Sequence, residues 1–253
     1  MNRNVKVIGE RNCGTNLLEQ LLEVNLRIAL LKFTPNSFQR FLLKSIHYDF
    51  VQDLIHDSRK FHDLGWKHGI PETRVIHSFD LQELAIVSIT KNPYAFLLSL
   101  YRRPYHFKGT LAPTFVEFIR QPWVTRKRDN TPERVLTSPV ALWNAKNAAY
   151  LELRAQFPEI VYPITYEELM SDPVLILDQL SDAFHLSKKQ DVPLLIESST
   201  KGDDLSFSDY QSYYLKEVWK KELTKEAIIE INQRLDLAVL SQFNYPLLDP
   251  TSF

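Results

Sequence analysis

The residues whose types and spacing could do chemistry lie in two short stretches. The first is Gly9-Glu10-Arg11-Asn12-Cys13-Gly14-Thr15-Asn16. It follows the apolar, β-branched run from Val5 to Ile8 and precedes the leucine-rich start of a helical pattern. Strand, glycine-containing loop, helix is a layout that holds a phosphate or sulfate group, because loop N–H groups and the positive end of the helix dipole point at the anion. The loop is nearly a Walker A sequence, Gly-x4-Gly-Lys-Ser/Thr. Gly9 and Gly14 are correctly spaced, yet Thr15 and Asn16 stand where Lys and Ser/Thr belong, and the basic residue, Arg11, precedes the second glycine.

The second stretch is Thr90-Lys91-Asn92-Pro93, with Ser99 eight residues after Lys91. Nucleotide kinases and hydrolases hold Mg²⁺ with an acidic residue that often closes such a strand. Here Ser88-Ile89-Thr90-Lys91 closes it on a cation instead. Cations and N–H donors without an evident carboxylate for Mg²⁺ suit an anion whose transfer needs no metal, so no metal ligand is expected. This chemistry points away from ATP and toward a sulfuryl donor.

These residues need elements to position them. Residues 4–8 and 84–89 read as buried strands, and 160–165 as a third. Residues 15–31 read as one helix, and 36–62 as irregular peripheral helix. Gly65 to Pro71 is a loop bounded by its end residues. Asn92 and Pro93 open a helix with an N-cap and a proline at its first position. Residues 104–138 form an excursion rich in proline, aromatics and basic side chains, and 139–157 return to helix. Short helices start at Tyr166 and Pro173, and 211–242 read as two amphipathic helices. Strands alternating with helices imply an α/β fold, a mostly parallel central sheet flanked by helices, in one domain over 1–253. Such a sheet binds its ligand beyond the carboxyl ends of its strands, so the loops after the first two strands share a site.

Composition narrows the functional classes. The chain has 253 residues, a net charge of −1, 44% hydrophobic and 24% charged residues, as expected of a soluble globular enzyme. That balance argues against a nucleic-acid partner. A single cysteine excludes an internal disulfide and Cys-x2-Cys metal sites. The core begins at Val5 and no apolar run approaches ~20 residues, so neither a signal peptide nor a membrane partner is expected, and the cytoplasm is the expected location.

With these motifs in family order along nearly the whole chain, the sequence resembles a sulfotransferase that uses 3′-phosphoadenosine 5′-phosphosulfate. The family's first loop, Lys/Arg-Ser-Gly-Thr-Thr, is matched by Asn12-Cys13-Gly14-Thr15-Asn16. Its Arg-Asn-Pro with a later Ser is matched by Lys91-Asn92-Pro93 and Ser99, and its Lys-x-His-x-Pro loop by Lys67-His68-Gly69-Ile70-Pro71. Tyr166-Glu167-Glu168-Leu169, Lys201-Gly202 and Phe243-Asn244-Tyr245 resemble three further motifs.

The resemblance implies that Arg11, Asn12, Cys13, Gly14, Thr15 and Asn16 grip the 5′-phosphosulfate. Lys91, Ser99, Lys201 and Gly202 would hold the nucleotide and its 3′-phosphate. The implied reaction is in-line displacement, with an acceptor hydroxyl attacking sulfur after losing its proton to a base. His68 is the first candidate for the base because imidazole titrates near neutral pH; Glu19, about one helical turn past the cradle, is the second. Asn12 takes the slot of the basic residue that stabilises charge on the bridging oxygen, so Arg11 or Lys67 is expected to supply it. His68 stands one position before the family's histidine, and Cys13 replaces a serine.

Residues 101–140 carry a local net charge of +5, which would favour an anionic acceptor or the donor's phosphates. The acceptor is expected to be a small molecule or carbohydrate, and Trp143, Asn144, Asn147 and Tyr150 share a helix face that could contact sugar or nucleotide. Three rivals are a P-loop kinase or NTPase, a cysteine phosphatase built on Cys13, and a nucleotide-binding module without turnover. The phosphatase would need an Arg where Glu19 stands.

Overall fold

In chain order the elements are β1 (Arg3–Ile8), α1 (Thr15–Asn25), β2 (Ile28–Leu30), α2 (Ser37–Ser45), α3 (Asp49–Asp63), α4 (Thr73–Ile76), β3 (Leu84–Thr90), α5 (Pro93–Arg102) and α6 (Phe115–Arg120). There follow β4 (Trp123–Val124), β5 (Val135–Leu136), α7 (Pro139–Gln156), β6 (Val161–Thr165), α8 (Tyr166–Ser171), α9 (Pro173–Phe184), α10 (Phe207–Leu215), α11 (Lys225–Asn232) and α12 (Leu237–Gln242). The computed structural model describes residues 3–45, 48–197 and 204–252. Lys201 and Gly202 lie outside the described residues.

Four strands form a parallel sheet in the order β2-β1-β3-β6. All seven residues of β3 are buried, as a continuous apolar run requires of a parallel strand covered on both faces. Alternating side chains feed two cores. Val5, Val7, Ala85, Val87 and Ile89 pack with α1, α5 and α9 on one face. Ile8, Leu84 and Ile86 pack with Val75, Tyr150, Leu153 and Phe157 on the other. Because β1 and β3 are neighbours with Ile8 opposite Ser88, the loops leaving their carboxyl ends open on the same edge.

The sheet and its crossovers follow the sequence expectation; several boundaries do not. The helix expected over 15–31 ends at Asn25, and residues 28–30 form the edge strand β2, in register with Arg3 to Val5. Leu26 turns to an extended backbone, and the three-residue strand draws its stability from pairing with β1. The segment 36–62 is two helices, and the excursion contains α6 and the β4–β5 hairpin. Among the described residues no helix is long and apolar enough to cross a membrane.

Candidate active site

Gly9 and Gly14 shape the loop between β1 and α1 by close packing. A Cβ on Gly9 would lie 2.6 Å from the Ile89 carbonyl oxygen. Gly14 has φ +93°, and a Cβ there would stand 2.5 Å from the ring of Tyr166. That left-handed backbone is one glycine adopts without strain. Gly14 is the N-cap of α1, no side chain caps the helix, and no acidic residue stands in its first turn. Among the described residues no N-cap side chain covers the first-turn N–H groups of Thr15 and Asn16, an arrangement suited to an anion cradle.

The loop from Gly65 to Pro71 brings Lys67 and His68 to this cradle. The Lys67 ammonium donates to Asn16 Oδ1 at 2.5 Å and Glu19 Oε2 at 2.7 Å, placing a cation beside the first turn of α1. His68 Nδ1 lies 2.7 Å from the Gly9 carbonyl oxygen. A carbonyl only accepts, so Nδ1 carries the hydrogen and Nε2 keeps its lone pair. Burial, reinforced by the nearby Arg11 charge, holds the imidazole well below its ordinary pKa, so it is neutral at physiological pH and a weaker base than the near-neutral imidazole expected from the sequence. Glu19, the second candidate base, is buried and ion-paired with Lys67.

Arg11 is placed differently from the expectation that it supplies charge to a bound group. It is 3% exposed. One guanidinium nitrogen pairs with Glu10 and another with Asp129 Oδ1 at 3.1 Å. Its plane lies 4.4 Å over the Trp66 ring, with Arg128 4.6 Å from the same ring. Its charge is thus spent on two buried carboxylates, which raise its pKa against the opposing effect of burial. Asp129 arrives from 118 residues downstream, so no local pattern around Arg11 announced it.

The same cluster contains a residue that sequence reasoning passed over. Lys146 is fully buried on α7 and donates to the His68 carbonyl at 2.6 Å and the Asp129 carbonyl at 2.8 Å. It ties the Lys67–His68 loop to the β1 loop and to the Arg126–Asn130 turn. A signal existed: Lys146 lies on the face shared by Trp143, Asn147 and Tyr150, where a charge needs a partner. Those neighbours are structural. Trp143 Nε1 donates to the Lys91 carbonyl at 2.9 Å, Asn144 to the Arg234 carbonyl at 2.7 Å and Asn147 to the Trp143 carbonyl at 2.8 Å. Tyr150 is buried. The expectation that this face meets sugar or nucleotide is corrected accordingly.

Lys91 is the most unusual group at the site. It is 0% exposed. Its ammonium has no hydrogen-bond acceptor among the described residues; instead it sits 4.0 Å and 4.1 Å from the ring centroids of Tyr166 and Tyr214. Ser99 Oγ donates to the Ala95 carbonyl at 2.8 Å and meets the Tyr214 hydroxyl at 3.1 Å. Tyr214 on α10 thus contacts both Lys91 and Ser99. Two of the later motifs hold this corner. Glu167 accepts from the Asn92 N–H at 3.1 Å and from the Tyr245 hydroxyl at 2.6 Å, beside the start of α5.

Asn12, with φ 65°, donates to the Arg103 carbonyl at 3.3 Å. It lines a cavity of about 290 Å³ with Ser99, Arg102, Tyr210 and Tyr214 among its walls. Cys13 is buried, and burial drives its thiol pKa far up despite the Lys91 charge. A protonated, inaccessible thiol is no nucleophile, which disposes of the cysteine phosphatase. A buried ammonium with no hydrogen-bond acceptor among the described residues, an uncapped helix start and a cation from a third loop together suit an anionic ligand.

No family model matches the chain, and no curated protein matches it. In solved structures it is similar to the sulfotransferase domain from the curacin biosynthetic pathway, at 15% identity and TM-score 0.47, covering 98% of this chain and 99% of that one. It is similar to the sulfotransferase domain of the Synechococcus PCC 7002 olefin synthase, at 15% identity and TM-score 0.47, covering 94% and 96%. It is also similar to a sulfotransferase from Alicyclobacillus acidocaldarius, at 15% identity and TM-score 0.41, covering 95% and 99%. At these values the likenesses decide nothing about activity.

Proposed function

We propose that this chain is a sulfotransferase that moves a sulfuryl group from 3′-phosphoadenosine 5′-phosphosulfate to an acceptor hydroxyl, on a small molecule or a carbohydrate. The observation that carries the proposal is Lys91, a buried ammonium with no hydrogen-bond acceptor among the described residues, at the edge where the anion loop opens. A charge is costly to bury unpaired, and a phosphate group on the ligand would be its missing partner. The donor, when bound, supplies the sulfuryl group and departs as adenosine 3′,5′-bisphosphate.

The roles of the side chains follow from their chemistry. The first-turn N–H groups of α1 and the Lys67 ammonium bind the 5′ end of the donor. Lys91 and Ser99 bind its 3′-phosphate. His68, held by the Gly9 carbonyl with Nε2 unprotonated, takes the proton from the acceptor hydroxyl. Of the two candidates for this charge, Lys67 fits better: its half-buried ammonium lies beside the helix start with one carboxylate partner, Glu19, whereas Arg11 is buried against two. Catalysis then rests on positioning and on a cation facing the charge that develops on the leaving oxygen. Lys146 is a positioning residue that fixes the His68 loop. A cytoplasmic location belongs to the same reading.

The test is turnover. Purified protein, supplied with 3′-phosphoadenosine 5′-phosphosulfate and a panel of sugars and phenols, should release adenosine 3′,5′-bisphosphate in an acceptor-dependent manner and lose that activity in His68→Ala. Mg²⁺-dependent ATP hydrolysis, with no bisphosphate release, would favour the kinase or NTPase instead.

A further inference from the structure

Helix α3 carries apolar side chains on two sides. Its inward side holds the buried Ile55 together with Asp53, which meets Arg128 at 2.7 Å, and Gln52, which meets it at 2.9 Å. Its outward side carries Phe50, Leu54 and Phe61, which are 74%, 57% and 51% exposed. At 3.6 residues per turn these three lie within an arc of about 40°, directed away from the core. An amphipathic helix normally turns such a stripe inward.

The stripe does not stand alone. Tyr48, just before α3, is 75% exposed, and Phe38 and Phe41 on the neighbouring α2 are 68% and 63% exposed. Aromatic side chains bury roughly 150–250 Å² each, so six large apolar groups at these exposures present on the order of 700 Å². The largest apolar patch on an ordinary monomer is about 300–600 Å². One side of a standard-size protein interface buries about 800 Å². The area therefore matches half of a stable protein–protein contact.

We infer that the α2–α3 face is a two-fold interface between two copies of this chain, with the α3 helices packed antiparallel. Antiparallel pairing sets Phe50 of each copy against Phe61 of the other. It also opposes the two helix dipoles. Asp57, a carboxylate beside the stripe, is already held by Lys60 at 2.7 Å, so its charge does not forbid burial of the face. A two-fold contact needs a self-complementary surface, and an apolar stripe confined to one helix face provides one. The inference does not depend on the proposed reaction.

Sedimentation velocity on the full chain across the micromolar range tests it. The wild type should sediment at twice its 29.6 kDa chain mass. The double variant Phe50→Asp/Phe61→Asp should sediment as a monomer that keeps the wild type's circular-dichroism spectrum, because both side chains lie outside the core of the single chain, with a melting temperature lowered only by the loss of the dimer. Leu237→Asp, an exposed apolar site on α12, should remain dimeric. A wild type that stays monomeric throughout, or a double variant that dimerises like it, overturns the inference. A monomer that floats with vesicles of anionic phospholipid would assign the face to a membrane surface and overturn it equally.

Discussion

Replacing Lys91 with methionine separates a ligand-binding ammonium from a structural one. Methionine keeps the length and roughly the volume of the side chain. In the free protein the Lys91 ammonium is fully buried with no hydrogen-bond acceptor among the described residues; it lies 4.0 Å and 4.1 Å from the Tyr166 and Tyr214 rings and is attracted by the Glu167 carboxylate. The two ring contacts contribute on the order of 1–4 kcal/mol together, whereas burying an ion costs several kcal/mol before compensation. The two are of similar size, so Lys91→Met should leave stability unchanged or raise it by about 1 kcal/mol. In a chain of this length that is a melting shift of roughly 0 to +4 °C.

Binding should move the other way. A hydrogen bond to a charged group is worth roughly 1.5–3 kcal/mol, so affinity for adenosine 3′,5′-bisphosphate should fall by about 10- to 100-fold. Thermal melting and calorimetry on one preparation give both readings. A variant that melts several degrees lower and binds the bisphosphate like the wild type would make Lys91 a structural residue and refute the reasoning.

Other perturbations have separate signatures. Lys67→Met removes the cation beside Asn16 and should lower kcat about 100- to 1,000-fold, the scale of losing one preorganised charge donor, and should also weaken bisphosphate binding because the same ammonium faces the 5′ end; unchanged kcat would return the role to another cation. Gly14→Ala places a Cβ 2.5 Å from the Tyr166 ring at φ +93° and should cost at least about 2 kcal/mol, or roughly 5 °C in Tm; wild-type melting would mean that the loop relaxes freely. Acid stability has a definite sign. Burial lowers the pKa of His56 to about 3 and, with Arg11 and Arg128, that of His106 to about 4. Between the ordinary histidine value of 6.5 and about 4 the unfolded chain therefore binds more protons than the folded one, and stability falls as pH falls. His56→Phe should flatten that fall in melting temperature, and an unaltered slope would count against it.

The legibility of the site in the sequence depended on how local each interaction is. The β1 loop, the Asn92-Pro93 helix start and the spacing of Lys91 and Ser99 are local, and the structure brings them to one sheet edge. The commitment of Arg11 was not legible, because Asp129 reaches it from a distant turn. Lys146 drew no reading from the sequence, because its partners, the His68 and Asp129 carbonyls, come from distant loops. β2 was hidden inside a helical pattern because three residues at an edge carry too little periodicity to outweigh the leucines before them. The apolar spacing of α3 was readable, but its direction was not, since periodicity states that a face exists and only packing states which way it points.

The central claim is that this loop and Lys91 bind a 3′-phosphorylated adenosine nucleotide rather than a nucleoside triphosphate. Titration calorimetry with adenosine 3′,5′-bisphosphate, run beside ATP with Mg²⁺, tests it most directly. The account predicts clear binding of the bisphosphate without metal and much weaker binding of ATP. No heat with the bisphosphate, or equal affinity for the two, would contradict it.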